Sequence, residues 1–112
     1  MSLLERRYAK FIDKVISLSR TANQAWFATA LQASGVSAGS LTALRVQVSL
    51  DTASVIEISL DDGATFDALF ENVALKVNTL YEFYIDVEKA DQVNFRATLA
   101  VTVNRARVDQ LL

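Results

Sequence analysis

Cysteine and histidine are both absent from this 112-residue chain, and each absence closes off a class of chemistry. Without Cys there is no disulfide framework, no thiolate nucleophile and no thiolate metal ligand. Without His the usual general base and the commonest nitrogen ligand are missing, which excludes Ser-His-Asp triads, Cys-His pairs and His-based zinc sites. Proline is absent too, and glycine occurs three times, so the turns fall to Asp, Asn and Ser, which bond their own backbone. No apolar run approaches the roughly 20 residues that a membrane-spanning helix needs. Charges at Glu5, Arg6, Arg7, Lys10, Asp13 and Lys14 also leave no apolar segment for a secretory signal. The chemistry left over rests on carboxylates, Lys, Tyr or Ser, and the expectation is a protein that binds or builds: no enzyme, no cofactor, no metal.

What is present is a globular composition. Hydrophobic residues make up 52% and charged residues 21%, enough apolar side chain to stock one core and too little net charge for a disordered chain. From Leu44 onward the dominant period is two. Leu44, Val46, Val48 and Leu50 alternate with Arg45, Gln47 and Ser49, the pattern of a half-buried strand. Ile56, Ile58 and Leu60 continue it after the turn-like Asp51-Thr52-Ala53. Asp61-Asp62-Gly63 is the clearest turn, since Gly accepts a positive φ and Asp bonds its own backbone. Ala64 to Phe70 reads as the returning strand, and Val73, Leu75 and Val77 as a short alternating piece. Tyr81, Phe83, Ile85 and Val87 then oppose Glu82, Tyr84, Asp86 and Glu88. The last strand is the longest: Val93, Phe95, Ala97, Leu99, Val101 and Val103 inward, with a phase slip near Asn104 that a bulge or tight turn would produce, after which Ala106 and Val108 take over.

The N-terminal third is double-faced. Leu4, Tyr8, Phe11, Val15 and Leu18 fall on a helical stripe, while Ile12, Ile16 and Leu18 also fit a strand. We expect a short helix or arm over residues 1–11, strands near 13–19 and 24–32, and a linker marked by Gly35 and Gly39. Short strands with turns about every ten residues imply an antiparallel β-sandwich over residues 12–112, for which the jelly roll is one candidate topology. An open-faced sheet packed on N-terminal helices is the other architecture the pattern allows.

Four features are candidates for function. Ser59-Leu60-Asp61-Asp62-Gly63-Ala64-Thr65-Phe66 resembles the Asp-box of sialidases and related propellers, with Phe66 where Trp is usual. That resemblance implies a stabilised hairpin bend built from Asp61, Asp62, Gly63, Thr65 and Phe66, away from any catalytic centre. The acids between residues 51 and 91 outnumber the bases ten to two; a calcium loop would need more converging oxygens than Asp61, Asp62 and Asp67 supply, and a solvated acidic face accounts for the excess. Residues 1–20 carry five bases against two acids, net +3, and the remainder six bases against eleven acids, net −5. A basic arm on an acidic body suits docking on a neighbouring copy through Leu4, Arg6, Arg7, Tyr8 and Phe11 better than nucleic acid, which calls for a denser basic patch. Finally, Trp26 beside Phe27, and Tyr84 beside Tyr81 and Phe83, place rings on both faces of their segments, as at an interface or a sugar-stacking platform.

Taken together, RVQVSL, VIEISLDDGATF, LYEFYIDVEKADQVNFRA and TVNRARVD resemble the small β-sandwich structural proteins of tailed phages and other viral particles. The resemblance spans about 65 residues, Leu44 to Val108. It implies a capsid, decoration (cement) or tail component that self-associates and contacts other virion proteins, is assembled in the host cytoplasm, and needs no membrane, nucleic acid or small molecule. A carbohydrate-binding module using Trp26, Tyr81 or Tyr84 is the alternative, and an enzyme using Asp61 and Asp67 ranks last.

Overall fold

The computed structural model describes residues 9–27, 42–88 and 92–111, and within them the chain is mainly β, with two antiparallel sheets and no α-helix. The strands are β1 (Ala9–Arg20), β2 (Thr42–Leu50), β3 (Ile56–Ser59), β4 (Asp67–Ala68), β5 (Tyr81–Val87), β6 (Asn94–Ala97) and β7 (Val101–Leu111). One sheet has the order β1-β7-β2-β5 and the other β4-β3-β6. Strand β7 is thus flanked on both sides, and β1 and β5 form the two edges of the larger sheet. No helix among the described residues is long and apolar enough to cross a membrane.

The alternation in β2 does what its period demands. Leu44, Val46, Val48 and Leu50 are buried, and Arg45, Gln47 and Ser49 are half-exposed on the other side. Strand β5 follows the same rule, with Tyr81, Phe83 and Ile85 half-buried, Val87 buried, and Glu82, Tyr84 and Asp86 exposed. The inner faces of both sheets merge into one apolar cluster. It takes Val46 and Val48 from β2, Ile56 and Ile58 from β3, Phe95 and Ala97 from β6, and Val103, Ala106 and Val108 from β7.

The phase slip near Asn104 is a β-bulge. Ser49 pairs with Arg105 and Leu50 with Val103, so Asn104 is the extra residue. Its amide nitrogen is put to use, donating to Asn78 Oδ1 at 2.9 Å and reaching Ser49 Oγ at 3.4 Å. The slip lets Val101 and Val103 share an inner face with Ala106 and Val108, which have the opposite parity.

Six expectations need correction, the simplest being Leu60, which the alternation places inward and which is exposed just past the end of β3. The long last strand is two strands, because the chain leaves the smaller sheet after Ala97, turns at residues 98–100 and enters the larger sheet at Val101. Thr98 N donates to Val55 O and Leu99 N to Ser54 Oγ, which holds this corner, and Leu99 projects outward instead of inward. Only Asp67–Ala68 of the expected 64–70 strand is extended pairing. Beyond it, Phe70, Glu71 and Asn72 all take positive φ, a left-handed turn that cannot continue a ladder. In the 73–77 piece Leu75 alone is buried, through an isolated bridge to Ser54, while Val73 and Val77 are exposed. Residues 24–27 form no strand and bend at Trp26 and Phe27; residues 28–32, the Gly35/Gly39 linker and arm residues 1–8 lie outside the described residues. Residues 9–11, assigned by their spacing to a helix or arm, already belong to β1.

Residues 21–27 do a different job from a strand. Asn23 N donates to Ala97 O and Trp26 N to Phe95 O, both at 2.9 Å, so they run along β6 and cover it. Asn94 then grips Phe27 at both ends of one residue, its Oδ1 accepting from Phe27 N at 3.2 Å and its Nδ2 donating to Phe27 O at 3.1 Å. Trp26 is consequently fully enclosed, stacked on Phe95 with ring centroids 5.8 Å apart.

Replacing Phe95 by Ala is expected to cost about 3–5 kcal/mol, the usual range for deleting a buried aromatic ring. Tyr84→Ala, on the exposed face of β5, should stay within about 0.5 kcal/mol of the parent. Urea unfolding followed by Trp26 fluorescence measures both; equal losses would mean that the inner and outer faces have been assigned wrongly.

Candidate functional site

With the inner faces committed to the core, the outer face of the larger sheet is where charged and aromatic side chains gather. Register places them in rows running across the strands. The first row is Phe11, Asp109, Arg45 and Tyr84, from β1, β7, β2 and β5 in turn. The second is Lys14, Arg107, Gln47 and Glu82. The third begins Ile16, Arg105 and Ser49. Phe11 and Lys14 are three residues apart and still share a face, because the β1–β7 register shifts between Phe11 and Asp13 and makes Ile12 a bulge.

Asp109 is the centre of this face and is 1% exposed. Arg45 Nη2 donates to its Oδ2 at 3.0 Å, and Arg107 Nε donates to Oδ1 at 3.1 Å and Oδ2 at 3.2 Å. Both arginines keep about a third of their side chains in water, so they roof the carboxylate from the solvent side, although Arg45 Nε is itself buried without a hydrogen-bond partner. Arg107 also lies over the Phe11 ring, its Cζ 5.1 Å from the centroid. Towards the β5 edge, Gln47 Nε2 donates to Glu82 Oε1 at 2.9 Å and the Tyr84 hydroxyl to Glu82 Oε2 at 3.3 Å. The face therefore changes sign across its width, with Lys14, Arg105 and Arg107 toward β1, and Glu82 and Asp86 on β5.

The Asp-box segment closes a hairpin at the end of β3. Asp62 and Gly63 both have positive φ, 58° and 87°, at the tight turn that Ala64 N closes on Asp61 O at 3.3 Å, inside the longer loop between the last ladder pair, Ile58 and Asp67. Asp61 is consumed by this bend: it accepts from Ser59 Oγ at 2.8 Å, from Thr65 N at 2.9 Å and from the Thr65 hydroxyl. Ser59 Oγ in turn accepts from Gly63 N at 2.8 Å. Phe66 packs beneath Arg96, whose Cζ is 4.1 Å from the ring centroid, and Arg96 bonds Glu57 at 2.7 Å on the paired strand. Hydrogen bonds from the Thr65 hydroxyl and backbone hold the Asp61 carboxyl down at about 2. Asp51 is also held below its ordinary value, chiefly by the Thr102 backbone N–H. Asp67, the other half of the carboxylate pair considered for catalysis, is exposed on β4. Among the described residues no three acidic side chains gather as a metal cluster would require.

Of the residues singled out from the sequence, the structure brings Phe11 and Tyr84 onto one face and one row. It removes Trp26 from any surface platform, because the ring is wholly buried under Phe95 contacts. Tyr81 is half-buried, its hydroxyl accepting from Lys76 N at 2.9 Å. Leu4, Arg6, Arg7 and Tyr8 lie outside the described residues. The sequence reading missed Arg45, Arg107 and Asp109 as a group, and Lys14 opposite Glu82 across the sheet. Outward parity after the Asn104 slip was the available signal. Comparison with protein-family models, curated proteins and solved structures gives no match.

Two measurements follow from these geometries. Because the Asp61 carboxyl lies below its ordinary value of 3.8, its turn contributes stability above that value and loses it as pH falls toward about 2. Asp61→Asn should flatten the acid limb of a stability–pH curve in that window, and an unchanged limb would show that the bend does not lean on the ionised form. On the outer face, Arg45→Met keeps cover over Asp109 but removes a charged donor, an expected loss of about 1.5–3 kcal/mol. The double variant Arg45→Met/Asp109→Leu should recover much of it, since an apolar pair replaces a buried ion pair at little cost. If the double variant unfolds in less urea than the single, Asp109 is not being desolvated by its neighbours.

Proposed function

We propose that this chain is a non-enzymatic structural subunit of a virus or phage particle, its two sheets stacked face to face as a small β-sandwich that self-associates. The observation that carries the reading is the outer face of the larger sheet. Exposed Phe11, Ile16 and Tyr84 stand there beside charges of both signs in fixed rows, which is the composition of a protein–protein contact and not of a reactive cleft. The best-held carboxylates support it, since Asp61 serves its own turn and Asp109 its two arginines. The core cluster drawn from both sheets supports the sandwich. The jelly roll is one topology such a sandwich can take; the described residues hold seven strands in two antiparallel sheets.

In this reading the N-terminal arm docks on a neighbouring subunit or on the shell beneath. The sugar-binding alternative keeps only Tyr84 as a well-exposed ring, now that Trp26 is core and Tyr81 is tied to Lys76, and nothing in the geometry favours it. A gene neighbourhood of capsid, portal or tail proteins is the expected context.

Sedimentation velocity of the full chain at micromolar concentration should show oligomers. Removing residues 1–8, which spares all of β1, should weaken them while leaving the β signature in circular dichroism. A monomer at every concentration, or saturable binding to a glycan array, would overturn the assignment.

A further inference from the structure

Of the large hydrophobic side chains exposed on this protein, four sit at the two edges of one sheet. Phe11 (46% exposed) and Ile16 (54%) are on β1; Tyr84 (58%) is on β5, and Leu80 (57%) stands just ahead of it. Among the described residues neither edge carries a further strand. Strands β1 and β5 run in opposite directions, because four antiparallel strands separate the sheet into two up and two down. A second copy laid beside the first in the same orientation therefore sets its β1 antiparallel to the first copy's β5, and the all-antiparallel ladder continues across the junction.

We infer that copies of this chain join head to tail, β5 of one to β1 of the next, with Glu82 beside Lys14, Tyr84 beside Phe11 and Leu80 beside Ile16. The inference rests on the self-associating reading above and specifies its contact. Side chains keep their faces in a β pairing only when the register moves in steps of two, so few registers need comparing. In the register proposed, a carboxylate meets an ammonium and two apolar pairs meet each other. The Ile12 bulge is what brings Phe11 and Lys14 to one face so that all three pairs form together. Sliding by one step sets Lys14 beside Tyr84, Ile16 beside Glu82 and Phe11 beside Asp86, so apolar groups face carboxylates twice. Sliding the other way sets Phe11 beside Glu82 and Lys14 beside Leu80. A two-fold pairing of β5 with itself about Tyr84 would oppose Glu82 to Asp86, which like charge disfavours.

The two partners are poised for this contact. Gln47 and the Tyr84 hydroxyl hold the Glu82 carboxylate on the outer face, and Lys14 is exposed with no ion pair among the described residues. The junction uses different surfaces on its two sides, so it is heterologous and generates rings or filaments instead of a closed dimer. Each contact is narrow, and assembly depends on many of them acting together.

Charge reversal on the full chain tests the pairing, read by sedimentation velocity and negative-stain electron microscopy with circular dichroism as the folding control. Lys14→Glu and Glu82→Lys, each alone, should weaken association several-fold, because an exposed attractive pair becomes a repulsive one at every junction. The double variant Lys14→Glu/Glu82→Lys should associate like the parent. An equimolar mixture of the two single variants should also reassemble, since each offers the other a complementary edge on both sides. If the parent assembles but ignores Glu82→Lys, or if the mixture stays dissociated, the edge pairing is wrong while self-association stands. If the parent is a monomer throughout, the pairing and the structural-subunit reading fall together.

Discussion

Phe95 has to be covered from two directions at once, and the rest of the molecule is arranged around that requirement. Its ring stacks on Trp26 at 5.8 Å and meets the edge of Phe83 at 6.5 Å, and Phe83 meets Phe70 edge-on at 5.1 Å. Phe95 belongs to the smaller sheet and Phe83 to the larger, so this chain of rings spans the gap between them. Each pair adds about 0.5–1.5 kcal/mol beyond the area it buries. The clamp also explains two local oddities. Residues 23–27 must run along β6 to deliver Trp26, which Asn94 secures through Phe27, and residues 70–72 must bend through positive φ where Phe70 reaches Tyr81 and Phe83.

Much of this was legible because burial imposes a period. The inward sets of β2 and β5, and the slip at Asn104, could be read directly from alternation. What alternation cannot show is which sheet a strand joins. Phe95, Ala97, Val101 and Val103 keep one parity through the corner at residues 98–100 because both sheets face the same core. The reading therefore ran two strands into one and counted Leu99 as core. The 64–70 error has another origin. Thr65, Phe66 and Phe70 favour strands while Ala64, Asp67 and Ala68 do not, and the Asp61 network and the left-handed turn at Phe70 take the backbone out of the ladder.

Trp26 shows a similar limit at the level of the site. Two adjacent rings, Trp26 and Phe27, look like one inward and one outward residue if the segment is a strand. The segment is a bend, and both are buried. Phe11 and Tyr84 were recognisable as outward rings, yet their membership of a single row was not, since a row joins residues 11, 109, 45 and 84. Such adjacency follows from register, and register depends on the two bulges at Ile12 and Asn104. One of them left a trace in the sequence pattern; the other was masked by the helix-like spacing of Leu4, Tyr8 and Phe11.

Register is also what the buried carboxylate guards. A one-residue slip of β7 against β2 would carry Asp109 from the outer face to the inner one, away from Arg45 and into the company of Leu44 or Val46. Driving that carboxylate among aliphatic side chains without Arg45, and Arg107 inward with it, costs far more than the ion pair contributes where it stands. Asp109 is thus weak as a source of stability and strong as a penalty against the wrong pairing. The aliphatic inner residues distinguish poorly between registers two residues apart, because Val46, Val48, Val103 and Val108 present the same shape, whereas such a step also parts Asp109 from Arg45. The charged row supplies the discrimination that the core lacks, and the same rows, carried out to the edges at Phe11 and Tyr84, give the face an ordered pattern that a neighbouring molecule can read.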